Sequence, residues 1–503
     1  MAQLPSREPS PASDDTIQDD TTTEKLAKIA IVEDHSIESG TTERDAATED
    51  IKEDTTEEET SIKEETRSEE KEDKAADSSG ESKPEPWFNE VLSALNKEQL
   101  PLLGRDVFQR VQPQFAADDS LPVVGKPMYG SYHVLFPLTF RTRLRWLVKI
   151  PAYGTADKWD ETAATCLESE AKTMQLLKRE TTIPIPEVLD FSSTTENPLR
   201  CPYIILSYIS GVSLYDVWYG DTHYDVDPKV THARRTRALE GIASAMIQLG
   251  KFSFKQSGSL TFADDGSPSG TSWSRRVDYK SMDNNKSMLN KSSTDQQPVD
   301  TVYARHEALD DPKLYYTFML DLHRGEEEKA YQNGVVLLLR QLISWIPEPA
   351  RTDSFVLAHP DLNLQNILVS MEGELQGIID WEGVAAVPHS IGNAKLPLWL
   401  MREWFPGMYE DAGSRWFASY RQAYRMAIKK QQKDTDSADL CRISLIAGNL
   451  AEAADRPNDR YEVVPKVVGE ILRRIELDDD LNIKAIVTMF AEDRVGDAVM
   501  NAL

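Results

Sequence analysis

The 503-residue chain carries a formal net charge of −28, is 40% hydrophobic and 8% aromatic, and has three cysteines. Cys166, Cys201 and Cys441 lie far apart without metal-ligand spacing, which excludes a disulfide scaffold and leads us to expect a reducing compartment, the cytoplasm with the nucleus as the other option. No apolar run reaches the ~18 residues of a spanning helix, and the acidic balance argues against a nucleic acid or an anionic membrane as main partner.

Residues 1–84 hold 26 of the acidic residues against 10 basic ones and no Phe, Trp or Tyr. Such a segment buries too little apolar surface to offset backbone ordering, so it reads as a disordered acidic tail that could engage protein partners. A helical lead-in is expected over 85–120, with Phe88, Val91, Leu92 and Leu95 on one face of a helix at 87–112. An N-terminal lobe is expected over 121–211: strands around Val123, 132–136 and 145–150, a helix over 161–180 stopped by Pro184 and Pro186, then strands at 187–191 and 203–209. Strands, one helix and strands again indicate an α+β lobe. From 212 to 503 the pattern is mainly helical, over 231–250, 311–346 and 395–503. The Ser-, Asp-, Asn- and Lys-rich stretch near 256–306 reads as a partly disordered surface insertion.

The chemistry concentrates in Leu357-Ala-His359-Pro360-Asp361-Leu-Asn363-Leu-Gln-Asn366-Ile-Leu-Val369, followed by a turn at Glu372-Gly373 and by Leu375-Gln-Gly-Ile-Ile379-Asp380-Trp381-Glu382. A carboxylate five residues before an amide places both on one short loop, and a second carboxylate ends a strand that returns to the same point. Phosphoryl transfer from ATP needs an oriented acceptor and a metal ion to neutralise phosphate charge. Asp361 is therefore the candidate base, and Asn366 and Asp380 are the candidate magnesium ligands, within the catalytic loop 357–382. A hydrogen-bonded turn without catalysis is the plainer alternative. No G-x-S-x-G, H-E-x-x-H or Walker-type loop competes.

On this loop, and on Trp146-Leu-Val-Lys149-Ile-Pro151, Ser169-Glu170, Ile183-Pro-Ile-Pro-Glu187 and residues 203–211, the chain resembles the aminoglycoside phosphotransferase/choline kinase group. The closest likeness is to the fungal proteins of the phosphotransferase enzyme family, over roughly residues 120–400. The resemblance implies a two-lobed protein-kinase-like fold, α+β, with a small antiparallel N-terminal lobe and a larger helical C-terminal lobe. It also implies that Lys149, at a strand end, contacts ATP phosphates and that Glu170 pairs with it, Glu168 being the rival partner. Gly130 and Ser131 become phosphate-loop candidates, although an ordinary hairpin turn explains them as well. The linker of Ser207 and Ile209 would offer adenine its backbone groups.

His359 reads as a brace of the loop, and Glu382 as either a support of the metal site or a turn cap. No activation segment or A-P-E follows Asp380, so a small-molecule hydroxyl acceptor is expected, with Trp399 or Trp404 as candidate faces for an ammonium. The remaining alternatives are a nucleotide-binding pseudokinase scaffold and an interaction protein that works through its acidic tail.

Overall fold

The computed structural model describes residues 86–220, 227–277, 303–322, 330–404, 414–431 and 436–474, with 483–484 and 487–488. The acidic tail expected at 1–84 and residues 278–302 of the expected insertion lie outside them.

The lead-in is two helices, not one: α1 (Asn89–Ala94) after a 3-10 turn, and α2 (Gln99–Val111). Leu95 turns extended, with ψ 124°, and the next amide, Asn96 N–H, donates to the Leu199 carbonyl at 3.0 Å. Strands β1 (Val123–Val124), β2 (Met128–Tyr129), β3 (His133–Thr139) and β4 (Arg145–Pro151) follow, then α3 (Glu161–Glu180), β5 (Val188–Ser192) and β6 (Tyr203–Ser207). They form an antiparallel sheet in the order β1-β3-β4-β6-β5, with β2 also on β3. Successive strand side chains point to opposite faces. Along β4, Trp146, Val148 and Ile150 therefore pack with Phe88, Val91 and Phe108 of the lead-in. Lys149 takes the opposite parity, toward α3. The lead-in is thus one covering layer of the sheet and α3 is the other.

Helix α3 starts where Asp160 accepts the Ala163 N–H at 2.7 Å, a cap worth about 1 kcal/mol. Leu167, Ala171, Met174 and Leu177 fall on its buried face and join Ile204 and Leu206 of β6. Glu170 lies on the same face, which is why it meets Lys149.

The larger lobe begins with β7 (Val212–Ser213), α4 (Leu214–Gly220) and α5 (Pro228–Met246). It continues through β8 (Ser253–Phe254), β9 (Ser259–Phe262), β10 (Pro268–Ser272), β11 (Ser274–Val277) and β12 (Tyr303–His306). The 256–306 expectation is corrected here: its described parts form two antiparallel pairs, β9 with β10 and β11 with β12. Strands of four or five mostly polar residues are held by backbone ladders and show little hydrophobic periodicity. Gly258 is built into this arrangement, because at φ +123° an added Cβ would lie 1.7 Å from the Ser272 carbonyl oxygen.

The helix expected over 311–346 is resolved into α6 (Pro312–Leu322) and α7 (Ala330–Ser344), with 323–329 outside the described residues. Next come β13 (Phe355–Ala358), β14 (Ile367–Val369), β15 (Leu375–Ile378), β16 (Ala385–Pro388), α8 (Ser414–Gln431), α9 (Asp436–Asp455) and α10 (Arg460–Arg474). The β14–β15 hairpin pairs with β7, and β13 lies between β16 and β8. Helix α9 is buried on most of its surface through small residues, including Ser444, Ala447, Gly448 and Ala451. No helix among the described residues is long and apolar enough to cross a membrane. A sheet-rich small lobe joined to a helical large lobe is the two-lobed protein-kinase-like arrangement expected.

Candidate active site

The site is assembled from the inward parity of β4, the inner face of α3 and the loop between β13 and β14. Lys149 lies within β4, not at its end as expected, and is 6% exposed. Its Nζ is 2.9 Å from Glu170 Oε1 and 3.3 Å from Asp380 Oδ1. Glu168, the rival partner, instead pairs with Lys172 at the helix surface, 2.6 Å away. Burial alone would push the Lys149 ammonium down, but Glu170, Asp380 and Glu382 outweigh it and hold it charged, above the ordinary lysine value. One ammonium is shared among three carboxylates, and burial accordingly leaves Glu170 and Glu382 raised despite the cation.

The catalytic loop is held by its own polar atoms. His359 accepts the Asp361 N–H on Nδ1 at 3.2 Å, while its Nε2 meets the Ile379 carbonyl at 3.0 Å. That bond to a carbonyl requires a proton on Nε2, leaving Nδ1 as acceptor. The ring also stands edge-on to Trp381, and burial drives its pKa down to about 4. His359 is therefore a neutral brace that ties the Asp361 loop to Ile379, between β15 and Asp380. Pro360 is exposed and its missing N–H is not needed, because the neighbouring amides of Asp361 and Asn363 carry the loop's bonds.

Asn366 donates its Nδ2 to the Asp361 carboxylate at 2.8 Å and to the Asp361 carbonyl at 3.0 Å. Its Ile379 neighbour on the hairpin donates N–H to the Asn366 carbonyl at 2.9 Å. Burial, and then the nearby Asp380 charge, raise the Asp361 pKa above the ordinary aspartate value. Asp380 sits in the left-handed region, φ +61°, a conformation uncommon for non-glycine residues that aspartate adopts more readily than most. Burial pushes its carboxyl up, but Lys149 outweighs that and holds it below the usual value.

These groups fit a magnesium ion. With Nδ2 committed to Asp361, the Asn366 side chain has its carbonyl oxygen as the available ligand atom, and Asp380 stays ionised. Among the described residues no three His, Cys, Asp or Glu side chains gather as a metal cluster. One carboxylate and one amide suit an ion that takes its other ligands from phosphates and water.

A cavity of about 650 Å³ runs past this cluster, lined by Glu170, Asp361, Asp380 and Glu382 and also by Glu452 of α9 and Arg456 just past the end of that helix. Gly130, Ser131, Ser207 and Ile209 do not line it. Gly130 forms the expected hairpin turn, its N–H donating to the His133 carbonyl at 2.9 Å, and Ser131 is exposed at the turn. The Ser207 N–H is committed to the Glu187 carbonyl at 2.9 Å, and the Ile209 side chain rests on Gly377. Trp399, considered as an ammonium face, is among the residues lining the cavity, but it is 0% exposed and packs edge-on to Trp218 in the core. The Trp404 side chain lies outside the described residues.

Sequence reasoning missed three contributors. Arg275 Nη2 bonds Glu382 Oε1 at 3.1 Å, His133 Nδ1 lies 3.3 Å from Glu382 Oε2, and Glu452 pairs with Arg456 at 3.2 Å at the cavity wall. The separation of 107 positions between Arg275 and Glu382 left no local signal to find that pair.

Comparison with known proteins agrees in kind. A family model described as "Phosphotransferase enzyme family" matches residues 137–425. A subtelomeric hrmA-associated cluster protein of Aspergillus fumigatus is 24% identical over 321 residues, 54% of this chain and 59% of the relative. Altered inheritance of mitochondria protein 9 of Candida dubliniensis is 29% identical over 136 residues, 27% of this chain and 21% of the relative. The chain thus spans about three-fifths and one-fifth of these two relatives. Among solved structures, an amicoumacin kinase in complex with AMP-PNP, Ca2+ and its ligand covers 80% of this chain and 95% of its own at 11% identity and a TM-score of 0.39. A Plasmodium vivax ethanolamine kinase covers 85% and 98% at 11% identity and a TM-score of 0.35.

Proposed function

Because the chain belongs to the phosphotransferase enzyme family, we propose that it is an ATP- and magnesium-dependent kinase that phosphorylates a hydroxyl of a small molecule. The observation that carries this reading is the convergence of Lys149, Glu170 and Asp380 within 3.3 Å, beside an Asp361–Asn366 pair at 2.8 Å. Lys149 supplies the positive charge for the nucleotide's phosphates, and Glu170 keeps that charge in place. Asn366 and Asp380 are the residues to hold magnesium, which when bound neutralises the charge of the transferring phosphoryl group. Asp361 accepts the acceptor's hydroxyl proton, and the Asn366 amide orients its carboxylate for that role.

The path of the chain after Asp380 supports a small acceptor. It goes directly through Gly383 into β16, so no segment is left to dock a peptide. Glu452, an ionic neighbour of Asp361, stands at the cavity wall paired with Arg456, so the wall offers an acceptor both a carboxylate and a guanidinium. Purified protein incubated with ATP, magnesium and a broad hydroxyl-metabolite panel should transfer phosphate, and Asp361→Ala should abolish transfer. Transfer that survives Asp361→Ala would remove the base assignment.

A nucleotide-binding scaffold is the second reading, favoured by the Gly130 N–H being turned into its own hairpin instead of toward a phosphate. That reading expects a thermal shift with ATP and no transfer across the panel. Residues 1–84 would add a protein-docking role in the cytoplasm or nucleus in either case; deletion of the tail should then change partners without changing transfer.

A further inference from the structure

Glu382 is the most heavily engaged carboxylate at the turn after Asp380, and neither of its partners comes from that turn. Arg275 reaches its Oε1 from β11 at 3.1 Å, and His133 faces its Oε2 from β3 at 3.3 Å. The Arg275 side chain is 12% exposed and its guanidinium lies 5.8 Å from the Trp159 ring centroid, so it is held on a second side just ahead of α3. Its strand is registered by the ladder to β12, Arg275 opposite Arg305. Between Asp380 and Glu382, Trp381 is fully buried and donates its indole N–H to the Ile378 carbonyl at 2.9 Å. The turn is therefore fixed at Trp381 from below and at Glu382 from the side, and between these anchors Asp380 is held in the left-handed region at φ +61°.

We propose that Arg275 is a positioning residue: it holds Glu382, and through Glu382 it holds the left-handed turn that presents Asp380 to a metal–nucleotide complex. The inference rests on the kinase reading above and adds to it a role for the β11–β12 strand pair, which lies between α5 and α6 in the chain. Arg275 also gives Glu382 a second cation beside Lys149, so that the buried carboxylate does not depend on the ammonium alone.

The test is titration calorimetry of the full chain with AMP-PNP, with magnesium and with EDTA, for the wild type, Arg275→Met, Arg275→Lys, Glu382→Gln and the Arg275→Met/Glu382→Gln double variant. Arg275→Met is expected to weaken magnesium-dependent binding at least ten-fold while leaving the EDTA affinity within about two-fold. Arg275→Lys should recover most of that loss. Glu382→Gln should lose a comparable amount, and the double variant should be no weaker than the worse single variant, since both changes break one connection.

If the two losses multiply in the double variant, Arg275 acts on the nucleotide directly and the proposal is overturned. Wild-type magnesium dependence in Arg275→Met overturns it as well. Should Arg275→Met fail to fold, Glu382→Gln decides alone: an unchanged magnesium-dependent affinity refutes the role. Absence of AMP-PNP binding by the wild type is a distinct result, which removes the kinase reading itself and this inference with it.

Discussion

Replacing Lys149 by Met tests the electrostatic centre of the site most directly. The substitution keeps the length of the side chain and removes only the ammonium that lies 2.9 Å from Glu170 and 3.3 Å from Asp380. The Glu170 side chain is 7% exposed and loses its cation where water cannot replace it; that of Asp380 is crowded by protein on its inner side but is 48% exposed, and water reaches it from the cavity. The cost therefore falls on Glu170. Removing one partner of a buried pair typically destabilises by about 3–5 kcal/mol, a large share of the roughly 5–15 kcal/mol that holds a domain together. With a urea m-value of about 3 kcal/mol/M, the unfolding midpoint should drop by about 1–1.7 M. Lys149→Met/Glu170→Gln should regain most of the loss, to within about 1 kcal/mol of wild type, because no buried charge is then left unpaired. The deficit of the single variant should also shrink as pH falls and Glu170 takes up a proton. A loss under about 1 kcal/mol for Lys149→Met, or a double variant as weak as the single one, would refute the argument.

Asp361→Asn should lower kcat by about 10²–10⁴-fold with little change in nucleotide affinity, read by steady-state kinetics and calorimetry. In the wild type, burial and Asp380 raise the Asp361 pKa, so the base is lost as pH falls through that raised value. The acid limb of kcat/KM should therefore lie above the ordinary aspartate range and should be absent from the residual rate of Asp361→Asn. Glu348, raised to about 6 by burial among Tyr316 and Ser390, binds its proton more tightly folded than unfolded. As pH rises from the unfolded carboxyl range through about 6, that preference is lost and wild type should weaken by about 2 kcal/mol relative to Glu348→Gln, measured by urea unfolding at a series of pH values. Gly258→Ala forces a Cβ to 1.7 Å from the Ser272 carbonyl oxygen at φ +123° and should cost at least about 2 kcal/mol in the same assay. A neutral Gly258→Ala would mean that the β9–β10 strands are not docked as described.

What the amino-acid order determined by itself was short-range. Asp160 and Pro184 bracket α3, the period of two along β4 separates Lys149 from Trp146 and Val148, and the stretch from His359 to Glu382 closes on itself through one hairpin. Those features depend on bond geometry and on side-chain spacing within about two turns or one hairpin, so a linear pattern carries them. The pairing of Lys149 with Glu170, 21 residues apart, was instead an expectation from the family resemblance, which the parity of β4 and the inner face of α3 meet.

Tertiary structure alone decided the rest. The lead-in became a layer over the sheet because Phe88 and Phe108 found the outward residues of β4, a match that neither segment announces. Trp399 went to the core because Trp218 was there to receive it. The stretch read as a loose insertion was ordered by backbone ladders, which hydrophobic patterning does not register, and it delivered Arg275 to Glu382 across 107 positions. A carboxylate shows in the sequence, but the cation that will hold it is chosen only when distant elements dock.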